Sequence, residues 1–288
     1  MAADDKNKIT LAHLNRYKKE GRPVVAVSAY DFPQAQLCGK AAIDIILVGD
    51  SLGMTTLGYS NTLPVTMDDM IAHSSAVKRA NTNCFLIGDM PYGSFINEYD
   101  AIKNANRFLV SGMDAVKTEG PAYDQIDAIV KSGIICMGHL GLTPQTRARM
   151  SGYKVQGKTK KDVYHILEQA KKLEDCGVSF ILFEAMPAES AEYIKDNLRI
   201  PCYGIGAGDK LDGQLIIYHD LVGLFFEFKS KFVKRYCEAG LLIENALKEY
   251  AKDVREKRFP FPENFYEIKE EELEKLLGNS KWKYEENK

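Results

Sequence analysis

The sequence predicts a closed parallel α/β barrel of the TIM (β/α)8 type with extra helices at both ends. Two observations carry that reading. Short apolar runs, each ending in a chemical residue, recur along the whole chain: IILVGD (45–50), CFLIGD (84–89), AVKTE (115–119), IICMGH (134–139) and FILFE (180–184). Between them lie stretches with helical spacing, and alternation of this kind builds parallel sheets. Polar residues at the carboxyl ends of many strands favour closure, because a barrel gathers them at one face. The length of 288 residues suits one such domain of roughly 250 residues.

Val24–Ala29 reads as the first strand, introduced by Pro23, after a short helix over 10–19 that closes the barrel bottom. Helices are expected over 32–40, 98–111, 123–132, 161–175 and 187–197. The clearest is 161–175, where Val163, Ile166, Leu167, Ala170 and Leu173 recur at helical spacing and Gly177 stops the run. Thr66 with Asp68 and Asp69 reads as a helix cap rather than an acidic cluster, since a threonine cap and early acids complement the helix dipole. His73 inside that helix is read as packed or solvated.

The segments 52–64 and 140–157 are long enough to act as loops over a site. Cys202 opens a seventh strand ending in Gly204-Ile205-Gly206-Ala207-Gly208, a tight turn that lacks the spacing and following helix of a nucleotide fingerprint. Leu215–Tyr218 is expected as the eighth strand, with His219 and Asp220 at its rim and a very short seventh helix before it. A helix is expected over 230–252. Domain boundaries are set at 1–262 for the barrel with its terminal helices and 263–288 for a charged, helical extension.

Composition narrows the function. Lys and Arg total 38 against 40 Asp and Glu, a formal net charge of -2, which gives no electrostatic case for nucleic acid or an acidic membrane. No run approaches the roughly 20 apolar residues of a membrane span, and the start MAADDKNK resembles neither a signal nor a transit peptide. A small-molecule site in the cytoplasm is the expectation. The six cysteines show no zinc spacing and read as reduced, mostly buried thiols.

Asp50 leaves the core where a fully buried strand ends, and a desolvated carboxylate there needs a compensating cation or partner. Residues two apart share a strand face, so Ala115, Lys117 and Glu119 point one way, and the lysine and glutamate need a ligand or each other. Rim salt bridges are the bland alternative for any one acid. Four acids at strand ends argue against it for the set.

The runs VGDSLGM, LPVTMDDMIAHSSAV, GDMPYGS, VKTEG, GHLGLTPQ, GYKVQG, FEAMP, GIGAG and DGQ, over about residues 10–255, resemble the ketopantoate hydroxymethyltransferase family. Thr118 and Pro121 depart from the usual family pattern, and the charged tail is not covered by it. The resemblance implies a barrel of the phosphoenolpyruvate/pyruvate-binding superfamily. It also implies transfer of a one-carbon unit from 5,10-methylenetetrahydrofolate to 2-oxoisovalerate (3-methyl-2-oxobutanoate), giving ketopantoate for pantothenate and coenzyme A. By the same resemblance Mg2+ is associated with Asp50, Asp89 and Glu119, the 2-oxo acid is bound by Asp50, Ser51, Asp89 and Lys117, and Glu184 is the catalytic base. His139 is expected to bond the substrate or a neighbouring acid. A homo-oligomer, a decamer in the family, is implied as well.

The chemistry agrees with that assignment. A proton next to a ketone is too weakly acidic for a lone carboxylate, so a hard cation at the ketone oxygen is needed, and oxygen ligands suit magnesium rather than zinc. Some of the three acids could bind through water. The rival readings are a lyase or mutase on the same scaffold, which would show a cysteine in a site loop, and a non-catalytic barrel, which would have lost the acids.

Overall fold

The computed structural model describes residues 8–146, 152, 154–227 and 230–278. Eight parallel strands close into a barrel in sequence order: β1 Val24–Ser28, β2 Ile45–Val48, β3 Phe85–Asp89, β4 Ala115–Glu119, β5 Cys136–Gly141, β6 Phe180–Glu184, β7 Cys202–Ile205 and β8 Gly213–Ile217. The barrel unit carries helices α1 Leu11–Glu20, α2 Phe32–Lys40, α3 Leu52–Thr55, α4 Met67–Arg79, α5 Glu98–Val110, α6 Tyr123–Lys131, α7 Lys160–Asp175, α8 Ala188–Lys195 and α9 Tyr218–Val222. The chain divides into two compact units, Met1–Cys237 and Glu238–Lys288; the second holds α10 Ala239–Arg255, a short 3-10 turn and α11 Glu270–Gly278. The helix that the sequence reading starts at residue 230 therefore starts at Ala239, within the second unit.

Strand alternation explains both halves of the core. Outward side chains such as Ile46, Val48, Leu86, Val116 and Phe183 pack under the helices. Inward ones, among them Ile45, Leu47, Phe85, Ile87, Met137, Phe180 and Leu182, fill the barrel, with Leu14 and Tyr17 of α1 closing its lower end. The same two-residue period carries the interior column of β3 from Phe85 and Ile87 to Asp89, that of β4 from Ala115 to Lys117 and Glu119, and that of β6 from Phe180 and Leu182 to Glu184. Apolar layers below thus place a charged layer above, at the carboxyl ends of the strands. Such a layer is where barrel enzymes keep their chemistry.

The caps follow the sequence reading. Thr66 accepts from Asp69 N at 3.2 Å and Asp69 returns the bond, while Asp68 pairs with Arg107. His73 sits on α4 with Nδ1 2.7 Å from the Tyr30 carbonyl, a structural contact.

Two further expectations shift. The segment after β2 is not all loop, since Leu52–Thr55 forms a helical turn. β8 stops at Ile217, so His219 and Asp220 lie on α9 instead of the strand rim. Tyr218 extends the apolar run in sequence, yet the backbone has already turned into the helix. The glycine cluster is a tight turn, as expected: Gly208 has a φ of +82°, and a Cβ there would meet Ala188 at 2.3 Å. The readings placed on residues 1–7, on Arg147, Arg149 and Tyr153, and on 279–288 lie outside the described residues. No helix among the described residues is long and apolar enough to cross a membrane.

Candidate active site

Asp50, Ser51, Asp89, Lys117, Glu119, His139 and Glu184 all line one cavity of about 580 Å³ at the carboxyl end of the barrel. Register brings them together. Asp89 on β3 is paired with Lys117 on β4, Glu119 with His139 on β5, and Gly141 with Glu184 on β6. Gly141 is required at that last step, because a Cβ on it would meet the Glu184 carbonyl at 2.4 Å, and its φ is +89°. A larger hollow of about 840 Å³ lies against β8, β1 and the turn after β7, and none of the predicted site residues lines it.

Lys117 Nζ donates to Asp89 Oδ1 at 2.6 Å, and Asp89 Oδ2 accepts from Asp50 N at 3.1 Å. Burial, then the neighbouring Asp89, hold the Asp50 carboxyl well above the usual carboxylate range, with Lys117 and Gln145 acting against them. Burial also disfavours the Lys117 ammonium, yet Asp89, Asp50 and Glu119 together outweigh it and raise that group. One ammonium is therefore shared among several carboxylates, and a further cation would relieve what remains.

His139 spans two acids. Its Nε2 is 3.2 Å from Glu184 Oε2 and its Nδ1 3.5 Å from Glu119 Oε2, within ion-pair reach but out of line for hydrogen bonds. Burial and the Lys117 charge pull the imidazole down, and the two glutamates outweigh both, so it is pushed up to about 9. The two acids thus favour the protonated form of His139, which lies between the expected base and an expected ligand acid.

Two residues were not visible in the sequence reading. Gln145, in the loop after β5, donates from Nε2 to Asp50 Oδ2 at 3.0 Å and to the Met90 carbonyl at 3.1 Å, while its backbone N–H donates to Glu119 Oε1 at 2.7 Å. Tyr30 shares a 2.7 Å hydrogen bond with Ser51 Oγ and so fixes that hydroxyl. A loop glutamine has no periodicity to mark it, although Gln145 does stand at the end of the quoted run GHLGLTPQ.

Both long segments reach the cavity: Ser60 and Thr62 from the first, Leu142, Pro144, Lys154 and Val155 from the second. His219 is not in its wall but stacks on Tyr30 at 5.6 Å. None of the cysteines lines the cavity among the described residues, which removes the feature expected of a lyase.

Among the described residues no three His, Cys, Asp or Glu side chains are gathered into a ready-made metal cage. Asp50 and Asp89 are nonetheless neighbouring oxygen donors that share the single Lys117 ammonium, and Glu119 lines the same cavity, held by Gln145 and His139. That set fits a hard cation that keeps several waters and takes only one or two carboxylates, the habit of magnesium.

Residues 8–262 match the model of the family described as ketopantoate hydroxymethyltransferase. The chain belongs to the ketopantoate hydroxymethyltransferase family. It is similar to the 3-methyl-2-oxobutanoate hydroxymethyltransferase of Heliobacterium modesticaldum, with 46% identity over 92% of this chain and 97% of that one. The enzyme of the same name from Ignicoccus hospitalis is 44% identical over 88% of this chain and 97% of its own. Among solved structures the chain resembles 2,3-dimethylmalate lyase, a member of the PEP mutase/isocitrate lyase superfamily, with a TM-score of 0.55, 13% identity and coverage of 93% and 94%. That likeness is one of fold. Membership of the ketopantoate hydroxymethyltransferase family spans the barrel, α10 and the start of the 3-10 turn, and all seven expected site residues fall inside it.

Proposed function

We propose that this chain transfers a hydroxymethyl group from 5,10-methylenetetrahydrofolate to 2-oxoisovalerate (3-methyl-2-oxobutanoate), giving ketopantoate for pantothenate and coenzyme A, by magnesium-assisted enolisation. The observation that carries the reading is the convergence of Asp50, Asp89, Lys117, Glu119, His139 and Glu184 on one cavity in a chain of this family. Asp50 and Asp89 would hold the cation, with Glu119 in the same cavity. When bound, magnesium supplies Lewis-acid polarisation of the ketone, worth several kcal/mol at the developing enolate.

The chain's own residues do the rest. Lys117 has two further N–H donors beyond the one given to Asp89, enough to hold the substrate carboxylate or the enolate oxygen. Ser51, oriented by Tyr30, donates to the carboxylate. Glu184 takes the proton from carbon three, a role typically worth about 100 to 10,000-fold in rate. His139 Nε2, 3.2 Å from Glu184 Oε2, orients that side chain for this step. The resulting carbanion forms its bond to the one-carbon unit as the C–N bonds to the folate break, water supplies the hydroxyl oxygen, and tetrahydrofolate leaves.

A cytoplasmic setting is supported by six cysteines that are all free. Self-association into a homo-oligomer, a decamer by analogy with the family, is supported by exposed Leu242, Leu247 and Tyr250 on α10. A monomeric mass by light scattering would overturn it.

The test of the activity is deuterium exchange at carbon three of 2-oxoisovalerate in heavy water, followed by NMR with magnesium and no folate. Metal-dependent exchange by the unchanged protein, abolished in E184Q and in D50N, is the expected result. A folded protein that exchanges nothing, even with folate added, overturns the mechanism.

A further inference from the structure

The mechanism above uses the charged floor of the cavity and leaves its walls unexplained. Those walls are mostly apolar, with Leu142, Pro144, Val155, Ile217, Phe225 and Phe232 lining them. Set among them is one carboxylate that the chemistry does not use, Asp220 on α9. Among the described residues no hydrogen bond or ion pair holds its side chain, although Arg235 is near enough to act on it through its charge. Burial holds this carboxyl above the ordinary range, with Arg235 opposing. A half-buried carboxylate with no donor is unfavourable unless something else supplies one.

A five-carbon acid fills a small part of about 580 Å³, so a second, larger molecule shares the space. Flat aromatic surface suits the Phe225 and Phe232 walls, and Asp220 demands paired N–H donors on its edge. A 2-amino-4-oxopyrimidine ring offers both: an apolar face, and adjacent ring N–H and amino groups that a carboxylate accepts in parallel. Lys154 and Lys231, which line the same cavity, offer positive charge for the glutamyl carboxylates of such a molecule.

We propose that Asp220 is the anchor for the pterin ring of the folate co-substrate, accepting its ring N–H and 2-amino hydrogens in the cavity that Phe225 and Phe232 also line. The inference rests on the activity proposed above.

Binding to the full-length protein is measured calorimetrically for tetrahydrofolate and for p-aminobenzoylglutamate, which lacks the pterin. The unchanged protein binds tetrahydrofolate more tightly, and D220N loses about 10 to 100-fold of that preference, the worth of a bond to a charged group. A 2-desamino-2-methyl analogue, tested on the unchanged protein, shows the same loss without any substitution, so a misfolded variant does not mimic the result. An analogue that binds as well as tetrahydrofolate, or a D220N protein that keeps the full preference, overturns the anchor. Deuterium exchange by the unchanged protein, run alongside, separates these outcomes. Exchange with no pterin preference defeats the anchor alone, and a folded protein that neither exchanges nor binds tetrahydrofolate defeats the activity itself.

Discussion

Lys117 donates a 2.6 Å hydrogen bond to Asp89 inside the barrel, where the two side chains are 4% and 2% exposed. They are direct partners in the β3–β4 register. Such a pair gains little over an apolar one, because desolvation offsets the attraction, but removing one partner strands the other. Here the stranded group would be Asp89, with Asp50 bonded to it through its own N–H.

K117M should therefore lower unfolding stability by about 3–5 kcal/mol in urea titrations of the metal-free protein. The double variant K117M/D89N should be more stable than K117M alone, since it removes the orphaned charge. A double variant that is less stable than K117M would mean that Asp89 stabilises through the bond it accepts from the Asp50 N–H and is not a stranded charge in K117M.

Much of this arrangement was legible in the sequence, for a physical reason. A strand buried on both faces must be apolar until it leaves the core, so the residue that ends the run is exposed to selection by chemistry. Asp50, Asp89, Glu119, His139 and Glu184 each stand at such an end, and the period of two places Lys117 on the face of Glu119. The end of β8 was misread because Tyr218 continues the apolar run while the backbone has turned into α9. The start of α10 was misread because the charged stretch before Ala239 keeps a helix-compatible composition without forming the helix. Gln145 and Tyr30 were not identified, and Asp220 was placed at the rim without a role, because what these residues do depends on how separate elements meet, which no local spacing records.

Gln145 offers the next measurement. Its amide holds Asp50 Oδ2 and its backbone N–H holds Glu119 Oε1, so one loop residue fixes two acids from different strands. Q145A removes the side-chain bond and keeps the backbone one. A hydrogen bond to a charged group is worth about 1.5–3 kcal/mol, so magnesium-dependent deuterium exchange should slow by about 10 to 100-fold. The loss should appear as a weaker apparent magnesium affinity, because the affected group is Asp50. An unchanged magnesium dependence with a slower maximal rate would place the effect of Gln145 elsewhere.

His219 sets a pH dependence that is separate from the charged floor. It stacks on Tyr30 with ring centroids 5.6 Å apart and planes 20° apart, and Tyr30 in turn fixes Ser51. Burial lowers the pKa of His219 below its ordinary 6.5, with Asp31 opposing. The unfolded chain therefore takes up the proton at higher pH than the folded one does. The stability this group contributes is fully present above pH 6.5 and is lost as pH falls through the lower folded-state value. H219F keeps an aromatic ring on Tyr30 and removes the titration. From about pH 8 to about pH 5 its unfolding free energy should fall less steeply than that of the unchanged protein, by at most one proton's worth of slope. Equal slopes for the two proteins would show that His219 takes up its proton alike in the folded and unfolded states, and that other groups set the acid limit.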